Sequence, residues 1–486
     1  MKVTFLNPPS IKGLRVPERV FGCTYGLYPI PNIFVLTYAA VLEETGHDVR
    51  VIDAPVEGWR ERDLVDFLMH DDSEAYVFYS VNLSKKIDQE TTRLIRKFRG
   101  KDVPVIFTGP GPSYQPYAED FLLDRNCYVL RGEVDFALWE LVEKLEHGVD
   151  ISNVLGLSWI ANGSVRHNPP PPLIRNLDIL PFPARHLIKR ELYYNPKLGD
   201  RPFTAMLTQR GCPYRCKFCV PNALSFSRKL QFRFWTGKPV PPMGYRSPAK
   251  VIEEFKMLES DGYKTLTVID DEFILQKRRT MEILEGIKGI KIRWSCLARA
   301  DYLIDREVVR ALAEANCVSV DIGAESFVQK ILDDMRKHLK VETIEKAVKN
   351  LKDFGIEPKL NILFGASPLE TEATIRYTIK KTIELKPGVV MFNIANPFPG
   401  TEFYEDAKKN GWFVFGDYVP VDVQKESIIS YPHLPKKRLE YLTKLANFKY
   451  YANPKLLWSH LRRFHDPIAL WKSFKSFLKK FRGFKV

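Results

Sequence analysis

The chain has 486 residues, 45% of them hydrophobic and 27% charged, which is more than one hydrophobic core usually organises and points to two or three domains. Its net charge of +14 is concentrated at the end: 431–486 carries fourteen Lys plus Arg against Glu440 and Asp466, leaving only +2 for the first 430 residues. No apolar run reaches the eighteen or so residues of a membrane span, and seven cysteines, three of them clustered, do not form a disulfide framework. The start, MKVTFLNPPS, has no signal-peptide pattern, so a cytoplasmic protein is expected.

Across 1–150 the runs VTFLNPP, DVRVIDA, AYVFYSVN, VPVIFTGPG and CYVLRGE read as strands, with helical spacing over 33–44, 61–69, 89–98, 117–123 and 135–145. Such alternation predicts an α/β fold with a doubly wound parallel sheet, whose ligands sit beyond the carboxyl ends of the strands. Those ends carry Asn7-Pro8-Pro9, Asn82, Gly109-Pro110-Gly111 and Arg131-Gly132-Glu133, together a candidate ligand crevice. There is no GxGxxG, which disfavours an ordinary dinucleotide site.

A hairpin around Ala161-Asn162-Gly163 and the proline run 169–172 follow, making 151–195 a hairpin and linker. A second series then begins with FTAMLTQ, TLTVIDD, KIRWSCLA, CVSVDIGAE, PKLNILFG and VVMFNIANP as strands. Six strand–helix units over 196–410 fit a partial (β/α)6 barrel, with its active site at the strand ends. Gln209, Asp270, Asp271, Glu272, Arg299, Glu325 and Asn396 lie at or just past those ends, and 411–486 is expected to be a basic helical region.

The first strand of this series runs into RGCPYRCKFC, which places Cys212, Cys216 and Cys219 in one short loop. A structural zinc site needs a fourth ligand, and none is near, because the other cysteines are 23, 127, 296 and 317. Cys296 and Cys317 lie in strand-like runs and read as buried core. An iron–sulfur cubane held by three thiolates would keep one iron open, which is useful for chemistry and pointless for structure.

RGCPYRCKFC resembles the cluster loop of the radical S-adenosylmethionine enzymes. IDDEF, WSCLARAD, GAES and NPFPGTEFY resemble strand-end motifs of the subgroup with an N-terminal cobalamin-binding domain, and KVTFLNPP, GPGPSYQP and RGEVDF resemble that domain. The resemblance covers nearly all of residues 1–410. It implies that Cys212, Cys216 and Cys219 ligate a four-iron, four-sulfur cluster whose open iron is chelated by S-adenosylmethionine. Asp270, Asp271 and Glu272 would meet the methionine amino group, Arg299 its carboxylate, and Glu325 with Ser326 the ribose. An electron passed to the sulfonium would release a 5′-deoxyadenosyl radical that takes a hydrogen from substrate, so an external donor such as ferredoxin or flavodoxin is implied. Cobalamin would sit against Asn7, Gly109, Gly111, Gly132 and Glu133 without a protein ligand to cobalt, since D-x-H-x-x-G is absent. NILFGASPLE departs from the family's glycine–x–proline–glycine–glutamate pattern, and no adenine contact is assigned there.

The tail PIALWKSFKSFLKKFRGFKV spaces Leu470, Trp471, Phe474, Phe477, Leu478, Phe481 and Phe484 three or four apart, with lysines between. It reads as a basic amphipathic helix resting on an anionic lipid surface; packing on the barrel and binding of nucleic acid are the alternatives. Family members that modify hopanoids or tetraether lipids at unactivated carbons make a membrane lipid the expected substrate, and cobalamin-dependent C-methylation the expected reaction. Ring or carbon–carbon bond formation without methyl transfer is the nearest alternative. A tRNA- or rRNA-modifying enzyme is disfavoured, because further cluster cysteines are missing from the N-terminal region, which offers only Cys23 and Cys127.

Overall fold

The computed structural model describes residues 1–22, 28–219 and 223–453. Cys23 and the tail helix of 467–486 lie outside the described residues. The first sheet is built from β1 (Lys2–Asn7), β2 (Asp48–Asp53), β3 (Ala75–Tyr79), β4 (Val105–Thr108), β5 (Cys127–Leu130), β6 (Leu157–Ala161) and β7 (Ser164–His167), in the order β2-β1-β3-β4-β5-β6-β7. Strands β1 to β5 are parallel, and their apolar runs are buried on both faces by the helices Ile33–Glu44, Glu61–His70, Lys85–Phe98 and Asp135–Glu146. The chain reverses between β2-β1 and β3, which is the switch point where such sheets place ligands.

The β6–β7 hairpin turns at Asn162 (φ +51°) and Gly163 (φ +74°), two left-handed residues that match strand twist across a two-residue turn. It pairs antiparallel with β5 and covers an edge that would otherwise offer unpaired backbone groups.

The second sheet takes β8 (Phe203–Met206), β11 (Thr265–Val268), β12 (Arg293–Ala298), β13 (Cys317–Glu325), β14 (Glu357–Phe364) and β15 (Val389–Ile394). All six are parallel and lie in chain order, the arrangement of an open (β/α)6 barrel. Between β8 and β11, the two-residue strands β9 (Gln209–Arg210) and β10 (Gly244–Tyr245) pair antiparallel beside the cysteine loop. Helix Lys436–Tyr451 lays Leu439, Leu442, Ala446 and Tyr450 into the barrel core, so this part of the basic region is a packed helix. Ala205 of β8 and Ile269 join the apolar cluster of the first sheet, which makes the two sheets share a core. Among the described residues no helix is long and apolar enough to cross a membrane.

Candidate active site

Two anchors aim the cysteine loop. Behind it, Thr208 and Gln209 donate their backbone N–H groups to Oδ1 of Asp270 at 2.7 and 3.1 Å, tying the end of β8 to the end of β11. Ahead of it, Arg210 sends two parallel hydrogen bonds, 2.8 and 2.9 Å, to the buried carboxylate of Asp135 on the first sheet's helix. Gly211 follows at φ +109°, and a Cβ there would stand 3.1 Å from Sδ of Met243. Inside the loop, Tyr214 shares a 2.8 Å hydrogen bond with Tyr302 and lies 3.6 Å beneath the guanidinium of Arg299. Lys217 donates its N–H to the carbonyl of Met335 at 3.1 Å and accepts from Phe403 at 3.1 Å.

Cys212, Cys216 and Cys219 are each half-buried. Burial pushes the Cys212 thiol up to about 11 and Cys219 higher still, with the Lys229 charge opposing the rise at both. Bound cationic iron would hold such thiols as thiolates. Three thiolates from one loop, with no fourth protein ligand in the sequence nearby, suit an iron–sulfur cluster better than a four-coordinate structural ion.

The other strand-end residues surround this loop in two groups. Asp270 and Glu272 are fully buried and spent on neighbouring protein groups, Asp270 also accepting from the Thr208 hydroxyl. Glu272 accepts from the N–H groups of Ile274 (3.0 Å) and Arg299, and burial raises it to about 8; burial likewise raises Asp270 to about 6. Asp271, half-buried, lies close enough to Cys212 to act on its charge. Arg299 grips both oxygens of Asp301 and the carbonyls of Lys337 and His338 at 3.0 Å each, so its donors hold the protein together around the loop. Glu325, left-handed at φ +62°, takes the ammonium of Lys337 at 3.0 Å, and a Cβ on Gly323 would stand 2.6 Å from the Glu325 carboxylate. Ser326 accepts from the N–H of Val328 at 3.2 Å and faces Thr378 at 3.3 Å. Asn396 is 4% exposed, and neither atom of its amide has a partner among the described residues.

On the first sheet, Asn7 donates to Asp53 at 2.8 Å while its own Oδ1 is buried without a partner among the described residues. Gly109 (φ +93°) would put a Cβ 2.7 Å from the Ser80 carbonyl, and Gly111 would meet the backbone of Val81 at 3.0 Å. These glycines let the loops after β3 and β4 touch. Gly132 and Glu133 face helix Ala223–Thr236, which follows the cysteine loop. A Cβ at Gly132 would stand 2.9 Å from Oε1 of Gln231, the atom that accepts from the Glu133 N–H at 3.1 Å. The Glu133 carboxylate pairs with Arg228 and accepts from Ile174 N–H at 2.8 Å. The structure thus brings Gly132 and Glu133 to the joint between sheet and cysteine loop. Arg210, Arg228, Gln231 and Lys337 were invisible in the sequence as site residues, because each acts through a partner 12 to 98 positions away.

The radical SAM superfamily model matches residues 206–381. An uncharacterised methyltransferase of Pyrococcus horikoshii is 30% identical over 467 residues, covering 94% of each chain. A cytidylyl-2-hydroxyethylphosphonate methyltransferase of Streptomyces wedmorensis is 24% identical, covering 89% of this chain and 86% of its own. An anaerobic magnesium-protoporphyrin IX monomethyl ester cyclase of Synechocystis is 22% identical, covering 94% and 87%. Among solved structures, the cobalamin-dependent S-adenosylmethionine radical enzyme OxsB superposes with a TM-score of 0.72 at 17% identity, over 99% of this chain and 71% of that one. The radical S-adenosylmethionine methyltransferase TsrM of Kitasatospora setae gives 0.63 at 20%, over 85% and 75%. The two structures share the fold, and the sequence match along almost the whole chain adds descent: the protein belongs to the radical SAM superfamily of enzymes.

Proposed function

We propose that the protein is a radical SAM methyltransferase that installs a methyl group on a carbon bearing no acidic proton. The observation that carries this is the loop of three half-buried thiols anchored by both sheets. Cys212, Cys216 and Cys219 would hold a four-iron, four-sulfur cluster, with S-adenosylmethionine at its open iron, beside Asp271 and the Glu325–Lys337 pair. Asn7 Oδ1 and the Tyr79 hydroxyl are buried without partners among the described residues, at the ends of the neighbouring strands β1 and β3. Such orphaned groups at the switch point suit the amide-fringed ring of cobalamin. When bound, these cofactors supply the electron, the radical and the methyl group.

The chain's own residues do the rest. The Arg210–Asp135 and Arg228–Glu133 pairs lock the loop to the first sheet, Arg299 clamps Tyr214, and the barrel core keeps water from a reactive centre. An external low-potential protein is the proposed electron donor. The cyclase relative favours a second reading, ring or bond formation without methyl transfer. A membrane-lipid substrate is supported by the tail sequence of 467–486.

Anaerobic reconstitution should give about four irons per chain. Cys216→Ala should lose both the cluster and 5′-deoxyadenosine formation, and survival of either refutes the proposal. Expression with cobalamin should yield corrin absorbance; its absence, with S-adenosylmethionine cleavage intact, favours ring or bond formation.

A further inference from the structure

β15 ends at Ile394, and the chain continues through Ala395, Asn396 and Pro397 into the helix Glu402–Lys409. The N–H of Ala395 donates to the carbonyl of Phe364 at 2.8 Å, so the tips of β14 and β15 stay side by side past their last paired residues. Further along, the N–H of Phe403 reaches the carbonyl of Lys217, which lies between Cys216 and Cys219. Glu402 pairs with Arg336 at 2.9 Å, one residue before the Lys337 that holds Glu325. The segment after β15 is thereby tied to the cysteine loop and to the segment that follows β13.

Within that segment the Asn396 side chain is enclosed, and both its Oδ1 and its Nδ2 lack a partner among the described residues. Among those residues it is the one side chain with two such atoms. Buried Asn350, by contrast, spends its amide on the protein. It donates to the carbonyls of Leu303 and Ile304 at 3.0 and 3.1 Å and accepts from Arg306 at 3.0 Å. A carboxamide taken out of water with neither half satisfied is costly, and buried polar groups in folded chains usually meet a partner. Turning the amide over changes nothing, because both of its positions are unpaired. The partner that fits supplies a donor and an acceptor together.

We infer that Asn396 binds the adenine of S-adenosylmethionine, its amide meeting a base edge that offers a donor beside an acceptor. The inference rests on the proposed radical chemistry and adds the residue that reads the base. Of the cofactor's polar groups, the amino and carboxylate groups are charged and the ribose offers hydroxyls. The adenine carries a neutral N–H donor next to a ring-nitrogen acceptor. A side-chain carboxamide is the complement of that edge, its oxygen accepting from the amino group and its nitrogen donating to the ring. The stretch NILFGASPLE, which runs out of β14, departs from the family's pattern and has no assigned adenine contact. Asn396 stands on the neighbouring strand tip.

The test uses the full-length enzyme with its cluster reconstituted and reads binding by calorimetry. The probes are S-adenosylhomocysteine and its 6-deamino analogue, in which hydrogen replaces the amino group. Neither carries the sulfonium, so no cleavage intervenes. Wild type should prefer the adenosyl probe about tenfold or more, because the analogue leaves the Asn396 oxygen unpaired. Asn396→Leu should bind S-adenosylhomocysteine about tenfold more weakly and treat the two probes alike. Without a probe it should melt no lower than wild type, since it removes an unsatisfied amide. Loss of stability with unchanged binding would mark a merely structural residue and overturn the inference. If Asn396→Leu does not fold, Asn396→Ala decides on the same binding readout. A preference for the amino group that survives the substitution also overturns it, because another residue then reads the base. A wild type that holds its cluster and binds both probes equally sinks this inference alone; a wild type that assembles no cluster and binds neither probe sinks the proposed function.

Discussion

Arg299 is held by both oxygens of Asp301, by two backbone carbonyls and by the face of Tyr214, between two of the loop's cysteines. A planar five-donor guanidinium can make all of these at once, whereas an ammonium cannot. Arg299→Lys should therefore lower stability by about 1–3 kcal/mol and broaden the electron paramagnetic resonance signal of the reduced cluster. A melt and a spectrum unchanged from wild type would remove Arg299 from the loop's support. Glu370 offers a different residue-scale test. Burial pushes it up to about 8, only the Gly365 N–H opposes this, and its Oε1 has no partner among the described residues. A free carboxyl titrates near 4.3, so the folded state binds the proton more tightly than the unfolded state. Stability should fall as pH rises from about 4.5 to about 8 and level off above that. Asp270 and Glu272 contribute in the same direction, so Glu370→Gln should lessen the dependence without abolishing it, and melting curves between pH 5 and pH 8 check it.

At the scale of elements, the joint between the first sheet and the cysteine loop carries the most consequence. Asp135 opens helix Asp135–Glu146, Arg210 ends β9, and their ion pair is buried on both sides. Arg210→Ala leaves a buried carboxylate without its partner and should cost about 3–5 kcal/mol. Replacing both residues with apolar ones should recover much of that, as read by chemical denaturation. Gly109→Ala should also destabilise, because the left-handed backbone and the Ser80 carbonyl at 2.7 Å both reject a Cβ. Sequence reasoning found these positions and attached them to a ligand. In the structure a Cβ at Gly109 would meet the Ser80 carbonyl, and one at Gly132 the side chain of Gln231. Strand-end glycines mark close approach, and the sequence does not say whether a ligand or another segment approaches.

For the whole molecule, charge and architecture are separate. The two sheets share a core through Ala205 and Ile269, while most of the +14 lies beyond residue 430. Full-length protein should float with anionic liposomes at low salt and lose that binding as ionic strength rises. A version lacking residues 467–486 should stay in the soluble fraction; flotation that ignores the truncation would end the anchor reading.

What the sequence by itself determined is what depends on local pattern: strand–helix alternation in two series, the Asn-Gly hairpin turn, and three thiols at fixed spacing in one loop. These are legible because period and spacing are properties of neighbouring residues. Only the tertiary structure decided that Asp270, Glu272 and Arg299 spend their polar atoms on the protein, that Glu133 and Arg228 meet across 95 residues, and that Lys359 and Asp321 pair across neighbouring strands. A side chain's partner is set by which segments the fold brings within hydrogen-bonding distance. Ion pairs between distant segments leave no period in the sequence to read.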